Sequence, residues 1–328
     1  MQRDQRQALV PPTATQSVVV DPELAEIVPL LPAFDLADYA SGRAMLAQAA
    51  LGNPDAPPEP WREQVQVSEQ RIPGPPNAPE VPLRIYRPKG DGIRPGLVYL
   101  HGGAFVLGEL GLFDPACGGY AADADLVVVS VDYRLAPEHP FPAGPDDCYA
   151  ALEWTVANAE ALAIDPTSIA VGGTSAGGGL AAAVALMARD RSGPAIAFQL
   201  LLNPVLDDRL DTVSVQTFTT TPLWNSKDVA VMWDLYLGPD RRSVSPYAAP
   251  ARAHDLSGLP PAYLLTSELD PLRDEGISYA LRLLDAGVQV ELHNVSGVFH
   301  AFDLFPAGIS RAATSEQHAA LRRALHKS

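Results

Sequence analysis

One serine lies among glycines at the end of a predicted strand, in the stretch SIAVGGTSAGGGL, Ser168–Leu180. Such a turn can bind phosphate, let a helix pack closely, or present a nucleophile. The glycines do not have the spacing of a dinucleotide fingerprint, and no lysine follows them as a P-loop requires. The pattern Gly-x-Ser-x-Gly is matched by Gly173, Ser175 and Gly177 and indicates a nucleophile on a sharp strand-to-helix turn. From this motif alone, close helix packing remains the alternative.

A serine hydroxyl is a weak nucleophile and needs a base, which in turn needs an orienting acid. Among the seven histidines, His300 follows a predicted strand end and a glycine in SGVFHAF, where a loop can bring it to the serine. His300 is therefore the predicted base. The sequence assigns other histidines elsewhere: His318 and His326 to a solvated C-terminal helix, His293 to a strand surface, and His139 and His254 to loops.

The acid is predicted from the segment LLTSELDPLRDEG, which contains Glu268, Asp270, Asp274 and Glu275. Asp270 ends an apolar strand, so its carboxylate should emerge at the carboxyl edge of the sheet. Asp274 and Glu275 fall in the first turn of the next helix, where negative charge is favourable in any case. Asp270 is therefore the predicted acid. The resulting chain order of nucleophile, acid and base is that of α/β-hydrolases.

Acyl transfer also needs hydrogen-bond donors for the developing oxyanion. The stretch YLHGGAF, Tyr99–Phe105, follows a predicted strand and contains two successive glycines. The backbone amides of Gly103 and Ala104 are expected to point into the site, joined by the amide of Ala176 at the start of the nucleophile helix. Removing one such donor typically costs about 2.7–4 kcal/mol in the transition state. This chemistry requires neither a metal nor a cofactor.

The elements that must position these residues alternate as strands and helices from about Val81 onwards. Continuous apolar runs such as Leu126–Val131 are typical of parallel strands covered on both faces. The fold class is therefore predicted as α/β, a mostly parallel sheet flanked by helices. Residues 1 to about 75 are predicted irregular apart from a helix over Leu36–Ala50. Residues 207–245 interrupt the alternation and are expected to form a helical insertion.

Composition excludes several classes of function. The 328 residues carry a formal charge of -16, which disfavours nucleic-acid binding because that needs a basic surface. No apolar run of about 18 residues occurs, so no membrane span is expected. The N-terminus lacks a signal-peptide pattern, and a cytoplasmic location is the default expectation. Cys117 and Cys148 cannot form a disulfide framework and are expected to be buried thiols.

Five ordered motifs, HGGAF, DYRLAPEHPFPA, GGTSAGG, DPLRDEG and FHAF, extend over about residues 80 to 302. Together they resemble the hormone-sensitive-lipase family of bacterial carboxylesterases. The resemblance implies an α/β-hydrolase fold and hydrolysis of small-molecule esters with short to medium acyl chains. Residue by residue it implies the triad Ser175, Asp270 and His300, the oxyanion donors Gly103, Ala104 and Ala176, and support of the oxyanion loop by His101 and Gly102.

The resemblance also implies a single hydrolase domain with a helical cap and makes a homodimer plausible. The cap is expected from about residues 1–50 and 207–245, and the catalytic core from about 76–206 and 246–328. Aromatic side chains of the insertion are candidates for the wall of the substrate pocket: Phe218, Trp224 and Trp233.

Two positions depart from the common family pattern: Ala104 replaces a glycine of the oxyanion loop, and Thr174 replaces an acidic residue before the nucleophile. If position 104 requires a positive φ, the Cβ of alanine introduces strain; if not, it costs little and stiffens the loop. An amidase or an acyltransferase would use the same triad, so both remain alternatives. A non-catalytic ligand receptor on this fold is disfavoured because His300 is present.

Overall fold

The computed structural model describes residues 19–31, 35–51, 59–238 and 241–326. Within them, eight strands form one sheet. The strands are β1 Val65–Ile72, β2 Val81–Pro88, β3 Arg94–Leu100, β4 Val127–Val131, β5 Ile164–Thr174, β6 Phe198–Leu202, β7 Ala262–Leu269 and β8 Val290–Phe299. The α-helices are α1 Pro22–Ile27, α2 Tyr39–Ala50, α3 Asp114–Ala124, α4 Ala143–Ala157, α5 Ala159–Leu162, α6 Ala176–Asp190, α7 Val213–Thr217, α8 Ser226–Leu237, α9 Arg273–Asp285 and α10 Gly308–Leu325.

The sheet is mostly parallel, as the sequence predicts. Its strand order is β1-β2-β4-β3-β5-β6-β7-β8. Strand β2 pairs antiparallel with both β1 and β4, whereas every other neighbouring pair is parallel. The carboxyl ends of the parallel strands therefore meet at one edge, where the loops that follow β3, β5, β7 and β8 lie close together.

Both faces of the sheet are covered by helices. Successive residues of a strand point to opposite faces, so Leu97 and Tyr99 of β3 lie in the core beneath α3 and α10. Val98 and Leu100 of the same strand lie in the core beneath α4, α6 and α9. Burial on both faces explains why the sequence of the central strands reads as continuous apolar runs.

Two elements differ from the sequence expectation. Strand β1 lies in the stretch predicted to be irregular; only its ends, Val65 and Ile72, are buried, so its residues show neither alternation nor an apolar run. Helix α3 is not predicted either, because it contains two adjacent glycines that disfavour a helix. A Cβ at Gly118 of this helix would lie 2.1 Å from the indole of Trp61. Tight packing therefore explains the glycine and overrides the low helix propensity.

The segments predicted to form the cap contain the expected helices, α2 near the N-terminus and α7 and α8 in the insertion. The backbone N–H of Leu36 donates to the Asp228 carboxylate at 3.2 Å, which links the α2 region to α8. Helix α1 instead lies on the α10 side of the sheet, where Leu24 is buried in the core. Residues 1–18 of the predicted cap lie outside the described residues, and the division into cap and core stays a prediction.

The two cysteines behave as expected, since Cys117 and Cys148 are both free and buried. Among the described residues, no helix has the length and apolar character needed to cross a membrane.

Candidate active site

Ser175 lies at the turn between β5 and α6, with φ 57° and ψ −120°. Its N–H donates to the carbonyl of Leu202 in the neighbouring strand at 2.8 Å. The flanking glycines leave no room for a side chain: a Cβ at Gly173 would lie 2.3 Å, and one at Gly177 1.9 Å, from the carbonyl oxygen of Leu100. The predicted reason for these two glycines, close approach of the backbone around a strained serine, is therefore confirmed.

The structure brings Ser175, Asp270 and His300 together. Nε2 of His300 lies 2.9 Å from Oγ of Ser175, and Nδ1 lies 2.6 Å from Oδ2 of Asp270. Because a carboxylate only accepts hydrogen bonds, Nδ1 carries the proton and Nε2 faces the serine hydroxyl as an acceptor. The three side chains are buried, with relative exposures of 7 %, 0 % and 6 % in chain order. This arrangement can move the hydroxyl proton to the imidazole.

Strand pairing sets the separation of Asp270 and His300. Leu269 at the end of β7 is the register partner of Phe299 at the end of β8, so the next residue of each strand leaves the sheet beside the other. Oδ1 of Asp270 accepts a hydrogen bond from the N–H of Leu272 at 2.9 Å. This contact fixes the carboxylate and leaves its other oxygen for the imidazole.

The other acids of the segment hold backbone groups elsewhere. Glu268 accepts from the N–H of Gly297 at 2.7 Å and so fixes the irregular part of β8. Asp274 accepts from the N–H of Ser214 at 2.7 Å, at the start of α7. Glu275 accepts a hydrogen bond from the N–H of Leu206, in the loop after β6, at 2.6 Å. Burial of Glu275 raises the pKa of its carboxyl well above the ordinary value.

The backbone of the loop after β3 turns through positive φ at Gly103 (131°), Ala104 (57°) and Phe105 (59°). In the described part of the chain, the N–H groups of Gly103 and Ala104 donate to no acceptor, and the N–H of Ala176 is the first of its helix and lacks an intrahelical partner. The assignment of these three amides as oxyanion donors stays a prediction. Position 104 does require a positive φ, so its alanine carries strain of about 1–2 kcal/mol.

His101 is fully buried between two aromatic rings, with ring centroids 4.3 Å from Tyr133 and 5.7 Å from Phe113. Its Nδ1 donates to the carbonyl of Gly102 at 2.8 Å, and burial lowers its pKa to about 4. The ring is therefore neutral at pH 7. A Cβ at Gly108 would lie 2.1 Å from the ring, so the loop returns directly over it. Contacts on both ends of the loop fit the supporting role that the family resemblance implies for His101 and Gly102.

The three candidate pocket residues occupy different positions. The ring centroid of Trp224 lies 5.9 Å from that of His300, so this side chain lies next to the predicted base. Phe218 is buried beneath the guanidinium of Arg273, 5.3 Å from its ring centroid. Trp233 is fully buried and packs against Phe105, with centroids 6.0 Å apart. Trp224 is thus the candidate that the structure brings to the triad, and the pocket assignment stays a prediction.

Sequence reasoning missed residues that shape the oxyanion loop, among them Phe105 and Tyr133. Phe105 stacks on Tyr236 of α8, with ring centroids 3.9 Å apart and planes 9° apart. The hydroxyl of Tyr133 donates to the carbonyl of His101 at 2.7 Å. Phe105 and Tyr133 belong to the motifs HGGAF and DYRLAPEHPFPA, so their place in a motif was a signal, but the contacts themselves join distant parts of the chain.

The prediction that His318 is solvated is wrong. The residue is 7 % exposed, its ring lies edge-on to Tyr120 at 5.3 Å, and its Nδ1 is 3.4 Å from the carboxylate of Asp123. Burial lowers the pKa of His318, since the charged form is poorly solvated there. The residue lies on the face of α10 that packs against α3, and its contacts are with Tyr120 and Asp123 rather than with the triad.

A separate cavity of about 400 Å³ lies along β1 and β2. Its lining includes Arg71, Arg84, Glu109 and Asp132, and it contains none of the residues predicted for the site. Burial raises the pKa of the Asp132 carboxyl, and the nearby carboxylate of Glu109 raises it further. The cavity is therefore distinct from the arrangement around Ser175.

Comparison with known proteins finds a hydrolase family and several ester hydrolases that are similar to this chain. A family described as the alpha/beta hydrolase fold matches residues 97–304. Carboxylesterase NlhH of Mycobacterium tuberculosis is 40 % identical over 322 residues, covering 95 % of this chain and 99 % of that protein. The ethyl acetate hydrolase of Pseudomonas putida is 38 % identical over 226 residues, covering 68 % of this chain and 71 % of that protein.

Among solved structures, a bacterial heroin esterase superposes with a TM-score of 0.90 at 47 % sequence identity. The match covers 94 % of this chain and 99 % of that chain. The residues outside 97–304 are far more numerous than the residues that this match leaves uncovered. The match therefore extends into the segments on either side of residues 97–304.

Proposed function

The chain belongs to the α/β-hydrolase fold family, in its hormone-sensitive-lipase-like group, and we propose that it acts as a serine esterase with Ser175 as its nucleophile. It is a carboxylic ester hydrolase, since relatives over nearly its whole length are carboxylesterases. The observation that carries the serine mechanism is the unbroken hydrogen-bonded series from Ser175 through His300 to Asp270.

In the proposed first step, Oγ of Ser175 bonds to the carbonyl carbon of the ester while Nε2 of His300 takes the hydroxyl proton. Asp270 holds Nδ1–H and stabilises the imidazolium. The tetrahedral intermediate then breaks its bond to the alcohol oxygen, and the alcohol leaves with the proton from Nε2. Water repeats the cycle on the acyl-enzyme, which releases the carboxylic acid and restores the serine hydroxyl.

The amides of Gly103, Ala104 and Ala176 are the proposed donors to the oxyanion. They are supported by their position on the two backbone turns at Ser175 and by the lack of another acceptor among the described residues. Fixed donors of this kind stabilise charge that develops only in the transition state, so they raise kcat more than they lower KM.

We propose esters of short to medium acyl chains as substrates. The family resemblance supports this range, and one relative is an ethyl acetate hydrolase. The rates of hydrolysis of p-nitrophenyl esters from two to sixteen carbons test the proposal. The rate per site should peak at short or medium length; a rate that rises steadily beyond about ten carbons would reject it.

The nucleophile is tested with Ser175→Ala and with diethyl p-nitrophenyl phosphate, which phosphorylates an activated serine. We expect the variant to retain the circular dichroism spectrum and the unfolding midpoint of the wild type but to lose ester hydrolysis and labelling. Removal of a triad member typically costs several orders of magnitude in kcat. Hydrolysis by the variant at more than about one percent of the wild-type rate would refute Ser175 as nucleophile.

The acid is tested with the matched pair Asp270→Asn and Glu268→Gln. The first change removes the charge that holds the imidazole tautomer and should reduce kcat by about 10³–10⁴-fold. The second removes a carboxylate two residues away that holds Ser296 and Gly297. A larger loss with Glu268→Gln would show that the acid is assigned wrongly.

A cytoplasmic location and a homodimer complete the proposal. The buried, free thiols of Cys117 and Cys148 are compatible with a reducing compartment, and the dimer rests on the family resemblance. Cell fractionation tests the first proposal. Sedimentation equilibrium at micromolar concentration tests the second, and a monomer mass of 34.8 kDa throughout would reject it.

A further inference from the structure

The oxyanion loop keeps a conformation that its own residues do not favour. Ala104 and Phe105 are consecutive non-glycine residues with φ near +60°. Each such residue costs about 1–2 kcal/mol, so the surrounding structure must hold the loop. Within the loop, the carbonyl of Gly103 accepts from the N–H groups of Val106 and Leu107 at 3.0 and 2.7 Å. The carbonyls of Phe105 and Val106 are left for partners elsewhere in the chain.

A guanidinium from the N-terminal segment binds one of these carbonyls. Nε of Arg43, in α2, donates to the carbonyl of Val106 at 2.9 Å. Nη2 of the same side chain donates to the carbonyl of Ala136 at 2.8 Å. Ala136 in turn donates its own N–H to the carbonyl of Phe105 at 2.9 Å. Together with the peptide bond between Phe105 and Val106, these three hydrogen bonds close a ring that joins Arg43, the oxyanion loop and Ala136.

Two further contacts fix the guanidinium itself. Glu138 accepts from Nη1 and Nη2 of Arg43, both at 2.8 Å, in the bidentate geometry that suits a planar guanidinium. The hydrogen bond from Arg43 lowers the pKa of Glu138 to about 2, so both partners are charged at neutral pH. The guanidinium also lies over the ring of Tyr39, 5.1 Å from its centroid.

We propose that Arg43 is a positioning residue for the oxyanion hole, through which helix α2 sets the chemical rate of the enzyme. Arg43 does not touch the reacting atoms; it fixes the carbonyls that follow the donor amides of Gly103 and Ala104. It also lies outside residues 97–304, the part matched by the family. The inference rests on the proposed function, because it assigns a partner to the proposed oxyanion donors.

The test compares Arg43→Met with a matched control, Arg94→Met. Arg94 is also a partly buried arginine that pairs with a carboxylate, Asp125, at 2.7 Å and with a backbone carbonyl, but it lies at the opposite end of β3 from the oxyanion loop. With p-nitrophenyl acetate, Arg43→Met should lower kcat by about ten- to a hundredfold, because a small misplacement of donors costs this much. KM should change by less than about threefold, and the control should keep the wild-type kcat.

A transition-state analogue separates positioning from general loss of structure. An aryl trifluoromethyl ketone adds to an active serine and places its oxyanion in the hole. Its inhibition constant should rise in Arg43→Met by about the same factor as kcat/KM falls. Arg43→Lys, which keeps the charge without the fork of donors, should show an intermediate loss. If Arg43→Met keeps the wild-type kcat and inhibition constant, the proposal is overturned.

Chemical rescue covers the case in which the methionine variant does not fold. Arg43→Ala leaves a space that millimolar guanidinium can fill, and added guanidinium should restore part of kcat. The same addition should not raise kcat of Arg94→Ala, and no rescue of a folded Arg43→Ala would overturn the proposal. Labelling of wild-type Ser175 by diethyl p-nitrophenyl phosphate is read in parallel. If the wild type is not labelled, the proposed function fails, whereas labelled wild type with unaffected Arg43 variants removes only this inference.

Discussion

The nucleophile turn and the oxyanion loop each place a non-glycine residue at φ 57°, Ser175 in the first and Ala104 in the second. The nucleophile turn is held by the main chain: its N–H bonds to β6, and its glycines lie against the carbonyl of Leu100. The oxyanion loop has main-chain hydrogen bonds as well, but it also depends on side chains from elsewhere, including Tyr236 of α8 and Arg43 of α2.

This difference teaches where each region is vulnerable. A turn fixed by main-chain contacts has no neighbouring side chain that could move aside, so a change there should destabilise the fold itself. A loop fixed by side chains can shift while the sheet stays intact, so a change there should lower the rate first. The following predictions test this distinction.

Gly177→Ala should have the largest effect, because its Cβ would lie 1.9 Å from the carbonyl oxygen of Leu100, and no rotamer change relieves that contact. We expect insoluble protein, or a stability loss of about 3 kcal/mol together with loss of hydrolysis. Urea unfolding and the p-nitrophenyl acetate assay measure both. Gly119→Ala is the control: its Cβ would lie 3.6 Å from His318, and alanine favours helix α3. A Gly177→Ala enzyme with native stability would contradict the main-chain account of the turn.

Gly108→Ala should act mainly on rate. Its Cβ would lie 2.1 Å from the His101 ring, at a φ of 143° that alanine disfavours, so the loop must move away from the histidine. We expect kcat to fall about a hundredfold with circular dichroism preserved and a smaller stability loss than for Gly177→Ala. Steady-state kinetics and thermal unfolding measure these quantities. Unchanged kcat in the folded variant would show that the loop does not need its contact with His101.

Acidic pH should reduce the contribution of His101, which supports the loop, to the stability of the folded protein. Burial lowers the pKa of His101 from 6.5 to about 4, so below pH 6.5 the unfolded chain binds a proton that the folded protein does not. The contribution of His101 to stability is therefore complete above pH 6.5 and is lost as the pH falls to about 4, by about 3 kcal/mol in total. Urea unfolding of wild type and His101→Asn over this range tests it. Parallel curves for the two proteins would refute the neutral buried state of His101.

Ala104→Gly should have the smallest effect. Glycine relieves the strain at positive φ, but it also makes the unfolded chain more flexible, and the two contributions oppose each other at about 1 kcal/mol each. We expect the free energy of unfolding to change by less than about 1 kcal/mol and kcat by less than about threefold. Denaturant unfolding and steady-state kinetics measure both. A much larger fall in kcat would mean that the alanine Cβ is needed to stiffen the oxyanion loop.

The sequence predicts the parts of the site that follow from local rules. The glycines around Ser175 report a strained turn, and Asp270 and His300 each follow an apolar strand end, which is enough to place them at one sheet edge. The strain at Ala104 could be posed from sequence only as a question, because the answer depends on a backbone angle. The positive φ settles it.

Other features depend on contacts between distant residues, which a single sequence does not reveal. The ring of hydrogen bonds at the oxyanion loop joins Arg43 to Val106, 63 positions away. Helix α10 buries Gln317 and His318, polar residues typical of a solvated helix, because Tyr120 of α3 donates to Gln317 across 197 positions. Strand β1 is likewise not apparent from the sequence, because its mostly exposed residues resemble a loop and its strand conformation depends on pairing with β2.

The pairing of Leu269 with Phe299 also has an evolutionary consequence. Because neighbouring strands carry Asp270 and His300 out of the sheet side by side, the geometry of the acid and base does not depend on the length of the chain that comes after His300. Insertions or deletions between Phe305 and α10 can therefore change the chain length there without separating the pair. The sheet therefore fixes the distance between Asp270 and His300, while the segments around them can vary in sequence and length during evolution.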